Sequence, residues 1–199
     1  MAPKKEMTPR SITILGSTGS VGCNTVELIE NNPSDYVVEA LTANRNVTLL
    51  IEQSLRLKPN TAVLADPDGY HALKEGLAGT GIEAAAGPEA LIEAAHRPAD
   101  WVMASIVGAA GLKPTLTAVR RGATIGLANK ECLVSAGDLF VKEVEIHGAT
   151  LLPVDSEHSA IFQVFDFDNA ERVHRIILTA SGGPFREFTL SQMEAVTPE

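Results

Sequence analysis

The apolar positions of this chain follow two alternating rhythms. Short aliphatic runs give way to longer stretches whose apolar residues recur at helical spacing. Ile12 to Leu15 is the first short run, closed by Gly16. Val21, Val26, Leu28 and Ile29 then fall within a helix-length stretch. Tyr36 to Ala43 predicts a second strand. Val47 to Leu57 predicts a second helix, ended by Lys58-Pro59 because proline disfavours helix at the residue before it. Thr61 to Ala65 predicts a third strand. Asp66-Pro67 supplies a cap and a first-turn proline for another helix. Ile82 to Ala86 and Trp101 to Val107 read as strands around a helix near Glu89 to Ala95. Leu112 to Arg121 reads as helix with Pro114 in its first turn. Thr124 to Ala128 predicts a strand, Glu131 to His147 a long helix and Thr150 to Val154 the next strand.

Strands alternating with helices predict an α/β fold. The expected architecture is a doubly wound, mostly parallel, Rossmann-like sheet with right-handed crossovers and helices on both faces, over residues 1–150. After Val154 the rhythm changes. Ser159 to Phe165 reads as helix, Arg172 to Ala180 as a long strand, Ser181-Gly182-Gly183-Pro184 as a turn, and Leu190 to Val196 as the start of a further helix. Residues 151–199 thus mix helix and strand, α+β in kind, and are too little material for a second domain with its own core.

Composition narrows the function. The 199 residues are 45% hydrophobic, enough for a core and long enough for one domain plus part of another. No apolar run reaches the roughly 20 residues of a membrane span. The start, MAPKKEMTPR, carries lysines with no apolar stretch behind them and does not read as a secretory signal. The formal charge of −9 argues against a nucleic-acid partner and against a membrane surface. Two cysteines, Cys23 and Cys132, make no disulfide framework, so a reducing, cytoplasmic setting is expected.

Five segments carry candidate chemistry. Gly16-Ser17-Thr18-Gly19-Ser20-Val21-Gly22 follows the first strand and opens the first helix, with glycine at every third position. Glycine there permits a tight turn, close approach of backbone to a pyrophosphate, and close helix–strand packing, while free amides at a helix start face the phosphates. The second strand ends in Ala43-Asn44-Arg45-Asn46, with no carboxylate for a ribose. Arg45 is placed to meet a 2′-phosphate, which favours NADP over NAD. Leu127-Ala128-Asn129-Lys130-Glu131 lies at a strand's carboxyl end, where open α/β sheets bind ligands. In Pro153-Val154-Asp155-Ser156-Glu157-His158 the two carboxylates would point the same way if the segment is extended, and would suit Mg²⁺ or Mn²⁺ with a third ligand from elsewhere. In that conformation His158 would face away from the pair. A helix start with acidic first-turn residues accounts for the same spacing. Ser181-Gly182-Gly183-Pro184-Phe185-Arg186 reads either as a plain turn or as exposed amides for a phosphate or hydroxyl. Cys23 and Cys132 read as small buried side chains.

Taken together and in order, GSTGSVG, MASIVGAAGLKPT, LANKE, PVDSEH and SGGPFR closely resemble the 1-deoxy-D-xylulose 5-phosphate reductoisomerase family, from about Ser11 to Glu199. The resemblance implies an enzyme of non-mevalonate isoprenoid biosynthesis that rearranges 1-deoxy-D-xylulose 5-phosphate and reduces the product with NADPH to 2-C-methyl-D-erythritol 4-phosphate. It implies that Thr18, Gly19, Ser20 and Val21 bind NADPH, that Asn44, Arg45 and Asn46 take its adenosine-phosphate end, and that Asn129 and Glu131 also touch it. It implies that Lys130 holds the substrate near its reacting carbons and that Asp155 and Glu157 bind a divalent cation (Mn²⁺, Mg²⁺ or Co²⁺). Ser156 and Ser181 would contact the substrate beside Lys130 and Glu157, with Lys130 and Glu157 serving catalysis. Residues 151–199 then become the start of the catalytic, metal-binding domain, and the chain an amino-terminal fragment expected to show no turnover alone. A homodimer is expected for the full-length enzyme. The competing readings are another NADP-dependent oxidoreductase, such as a semialdehyde or homoserine dehydrogenase, and a non-catalytic nucleotide-binding module.

Overall fold

Seven strands and six helices alternate through the first part of the chain. The computed structural model describes residues 8–179 and 183–197, and the chain divides into two compact units, Met1–Asp155 and Ser156–Glu199. The strands of the first unit are β1 (Arg10–Leu15), β2 (Tyr36–Ala43), β3 (Thr61–Leu64), β4 (Glu83–Ala86), β5 (Trp101–Ala104), β6 (Thr124–Leu127) and β7 (Thr150–Pro153). Its helices are α1 (Ser20–Asn31), α2 (Val47–Leu57), α3 (Tyr70–Gly76), α4 (Pro88–His96), α5 (Leu112–Arg120) and α6 (Glu131–His147). All strand pairs are parallel, in the order β4-β3-β2-β1-β5-β6-β7.

The near-continuous apolar strands are what a sheet covered on both faces requires. Alternate residues go to opposite faces. Ile12, Ile14, Leu41, Ala62 and Leu64 pack with Val26, Ile29, Leu50 and Leu73 of α1–α3. Leu15, Ala40, Val63, Val102 and Ile125 pack with Leu91, Ala95, Val119 and Phe140 of α4–α6. The doubly wound α/β expectation holds. Asp66 caps a single 3₁₀ turn, Pro67–Gly69, by accepting from the Asp68 amide, and α3 follows it. The expected long helix is present as α6, but Ala136 inside it is non-helical (φ −146°, ψ 31°), beside Gly137.

The second unit contains α7 (Ser156–Val164), a 3₁₀ stretch Phe167–Arg172, another 3₁₀ turn Gly183–Phe185, and α8 (Leu190–Glu194). Thr189 and Gln192 form a reciprocal capping box at the start of α8. The strand expected over Arg172 to Ala180 is not formed: residues 173–179 carry no strand pairing. Ile176, Ile177 and Leu178 are 57%, 68% and 65% exposed, so the apolar run has neither a neighbouring strand nor a core to enter among the described residues. Ala180 lies outside the described residues.

Candidate functional site

Chain order reverses between β1 and β5, and the crevice at their carboxyl ends is where an open α/β sheet binds ligands. A cleft of about 340 Å³ lies there. Its walls come from the loop after β1 (Gly16, Thr18, Gly19), the end of β2 (Asn44) and the loop after β5 (Ser105, Ile106).

The three loop glycines serve different ends. Gly16 sits at φ +88°, and a Cβ there would press on the Ser105 carbonyl at 3.0 Å. At Gly22 a Cβ would overlap the Gly16 carbonyl and the Ser17 backbone, so α1 packs directly against its own loop. Gly19 is the N-cap of α1 and offers no side-chain cap, which leaves the first-turn amides of the helix for a ligand. Neighbouring elements hold the loop. Thr42 accepts the Gly16 amide on its hydroxyl at 2.9 Å and the Ser17 amide on its carbonyl at 2.7 Å. The Ser105 hydroxyl donates to the Leu15 carbonyl at 2.8 Å. Glycine spacing identifies the loop. Thr42, Ser105 and the buried Gln53 escape that reading because nothing local marks them.

At the end of β2, Asn44 lines the cleft. Asn46 caps α2, its Oδ1 accepting from the Leu49 amide at 3.2 Å. Arg45 is exposed and its Nε donates to Asp66 at 2.7 Å. The sequence shows no carboxylate at the end of β2, but the fold brings one in from the end of β3. That carboxylate is engaged by the Asp68 amide and by Arg45, and these hold its pKa below the ordinary aspartate value, the amide most strongly.

At the end of β6, Asn129 is 3% exposed. Its Nδ2 donates to the carbonyls of Ile106 and of Gly108, the latter at 2.9 Å, clamping the loop that walls the cleft. With two carbonyls facing the nitrogen, the amide orientation is settled. Its buried Oδ1 has no partner among the described residues. Lys130 is exposed at the N-cap of α6, and Glu131 is half-buried in its first turn. Cys132 is 1% exposed, and burial pushes its thiol pKa up, as expected of a structural cysteine.

The Asp155-Ser156-Glu157 segment is not extended. Strand β7 ends at Pro153 and α7 begins at Ser156, so Glu157 lies in a first helical turn and strand alternation aligns nothing here. His158 is also in α7, so strand alternation does not set it opposite the two carboxylates. Of the two readings of this spacing, the backbone adopts the helix start. Within the second unit, Ser156, Glu157, Ile161, Phe165, Arg175 and Ile177 line a pocket of about 480 Å³. Nothing local in the sequence marks Arg175. Among the described residues no group of three His, Cys, Asp or Glu side chains stands ready to hold a metal ion. Asp155 and Glu157 each carry the hard oxygen donors that a divalent cation such as Mg²⁺ takes. Ser181 lies outside the described residues. No helix among the described residues is long and apolar enough to cross a membrane.

Residues 12–137 match the family model for 1-deoxy-D-xylulose 5-phosphate reductoisomerase, and residues 151–199 match the model for that family's C-terminal domain. A reductoisomerase of this name from Rhodospirillum centenum is 66% identical over 190 residues, covering 96% of this chain and 47% of the relative. One from Zymomonas mobilis is 59% identical over 191 residues, covering 96% of this chain and 49% of the relative. The solved structure of the Zymomonas mobilis enzyme in complex with NADPH superposes with a TM-score of 0.90 at 58% identity, over 96% of this chain and 51% of that one. A DOX-P reductoisomerase structure in complex with NADPH, fosmidomycin and magnesium gives a TM-score of 0.83 at 39% identity, over 94% of this chain and 49% of that one. The chain spans about half the length of the curated relatives it matches.

Proposed function

Because the chain belongs to the 1-deoxy-D-xylulose 5-phosphate reductoisomerase family, we propose that it carries the coenzyme-binding part of an enzyme converting 1-deoxy-D-xylulose 5-phosphate to 2-C-methyl-D-erythritol 4-phosphate. The observation that carries this reading is the cleft at the β1/β5 crevice, walled by a glycine loop against an uncapped helix start. In it, the turn Thr18, Gly19, Ser20 and Val21 holds the pyrophosphate of NADPH through the amides of Thr18, Ser20 and Val21, the Gly19 amide donating to the Gly16 carbonyl at 3.2 Å and closing the turn. Arg45, steadied through its Nε by Asp66, keeps its terminal nitrogens for the 2′-phosphate, with Asn44 and Asn46 beside it. Asn129 holds the 106–108 wall and, with Glu131, faces the coenzyme; its orphaned Oδ1 is a buried acceptor suited to an amide donor. Lys130 orients the phosphorylated sugar and supplies positive charge beside its reacting oxygens. Asp155 and Glu157 hold the cation, and Ser156 and Ser181 hydrogen-bond the substrate. Bound NADPH supplies the hydride and the cation Lewis-acid polarisation. Residues 1–150 form the NADPH domain and 151–199 the start of the catalytic domain. The reading includes a cytoplasmic homodimer with no nucleic-acid or membrane partner.

The test is a fluorescence titration of the purified chain with NADPH and NADH. NADPH is expected to bind at least about tenfold more tightly, and Arg45→Ala to lose most of that preference, since a charge-assisted bond is worth about 1.5–3 kcal/mol. Equal affinities, or an unchanged preference in the variant, would overturn the assignment of Arg45.

A further inference from the structure

Gln53 is the one buried glutamine in the wall of α2, 1% exposed beside the apolar Leu50. A buried amide is tolerated where it is hydrogen-bonded. Gln53 Nε2 donates to the carbonyl of Ser17 at 2.9 Å, 36 residues away in sequence, and lies 3.7 Å from Cys23 Sγ. The Ser17 amide is meanwhile held by the Thr42 carbonyl at 2.7 Å. Ser17 is fully buried in the glycine loop.

The consequence falls on the next residue. The Ser17–Thr18 peptide is trans and planar, so its carbonyl and its N–H point in opposite directions. Drawing the Ser17 oxygen toward α2 turns the Thr18 N–H away from α2. Thr18 and Gly19 line the cleft, and among the described residues no acceptor takes the Thr18 amide. An amide fixed in direction before the ligand arrives binds an anion better than one that must be ordered on binding.

We propose that Gln53 is a positioning residue for the coenzyme: by holding the Ser17 carbonyl it aims the Thr18 amide at the pyrophosphate. This rests on the coenzyme reading above. It touches no ligand itself, and its effect is confined to the phosphate end of the cleft. The bond to Ser17 therefore matters for NADPH and not for a ligand that reaches only the site of Arg45.

The experiment titrates the 199-residue chain and its variants with NADPH and with adenosine 2′-monophosphate, which has the 2′-phosphate but no pyrophosphate. Gln53→Met keeps the length and helix preference without the donor, and Gln53→Glu keeps the shape without an N–H in its ionised form. Ser54→Ala is the buried neighbour control. Thermal melting reports folding for each, and either Gln53 variant that folds decides the result. Expected is an NADPH affinity about tenfold weaker in the Gln53 variants, with adenosine 2′-monophosphate unchanged and Ser54→Ala like the parent. Equal weakening of both ligands, an unchanged NADPH affinity, or the same selective loss in Ser54→Ala would overturn the assignment. A parent chain that binds neither ligand overturns the coenzyme reading and this inference with it; a binding parent matched by its variants overturns only the role of Gln53.

Discussion

A single hydrogen at Gly22 allows α1 to sit on its loop. Any Cβ there meets backbone of Gly16 and Ser17, atoms that cannot swing aside as a flexible side chain would. Gly19 differs: its nearest neighbour to a built Cβ is the Gly16 carbonyl at 3.5 Å, ordinary contact. Gly22→Ala is therefore expected to destabilise the chain by about 2–3 kcal/mol through overpacking and to abolish measurable NADPH binding. Gly19→Ala is expected to leave the melting temperature within a few degrees. Denaturant unfolding of the two variants checks the contrast, and similar stabilities would show that the loop yields at Gly22. The same residue scale shows where spacing stops informing. The glycines are legible because backbone strain and close packing admit one residue type. Thr42, Gln53 and Ser105 act through contacts from β2, α2 and the loop after β5, and their identities carry no local signature.

At the scale of elements, the carboxylates that tie one element to the next are the acid-sensitive joints. Asp100 accepts the Ser11 amide and the Ser11 hydroxyl, each at 2.8 Å, joining the entry to β5 to β1. Those bonds, the amide first, hold its pKa below the ordinary value. Glu143 of α6 is likewise lowered, first by its hydrogen bond from Arg120 of α5. A carboxylate with a depressed folded pKa binds its proton more weakly folded than unfolded. The stability it contributes is complete above its unfolded pKa and lost as pH falls through the folded one. The denaturation midpoint is expected to stay level between about pH 7 and 5 and to fall below about pH 4, with a shallower fall in Asp100→Asn. A midpoint independent of pH down to about 3 would contradict this. The largely buried β2 and the amphipathic α2 take the bounds their sequence predicts, Tyr36–Ala43 and Val47–Leu57. The run Ile176 to Leu178 has strand composition but no partner among the described residues, and a strand without a partner is not a strand.

At the scale of the molecule, every buried hydrophobic side chain among the described residues lies in Met1–Asp155, and the described residues of the second unit include none. Stability is therefore concentrated in Met1–Asp155, while the second unit opens more easily. Limited proteolysis is expected to cut within residues 156–199 first and to leave a protected product reaching about residue 155, read by mass spectrometry. Its NADPH affinity should match that of the whole chain. Cuts spread evenly through both units, or a product that no longer binds, would refute the concentration of stability in the first unit.

The alternation of short strands with amphipathic helices, the glycine loop, and the set of motifs in order were determined by sequence alone, because period, turn chemistry and backbone freedom are local properties. The fold class and the family follow from them. Only the tertiary structure decided that Asp66, beyond the end of β3, holds Arg45, that Asn129 clamps the 106–108 loop, that Gln53 grips Ser17, and that Asp155 and Glu157 straddle a helix start. Each depends on residues brought together from separate elements, or on which of two backbones the same spacing adopts. A hydrogen bond between distant residues is fixed by packing and has no period to be read.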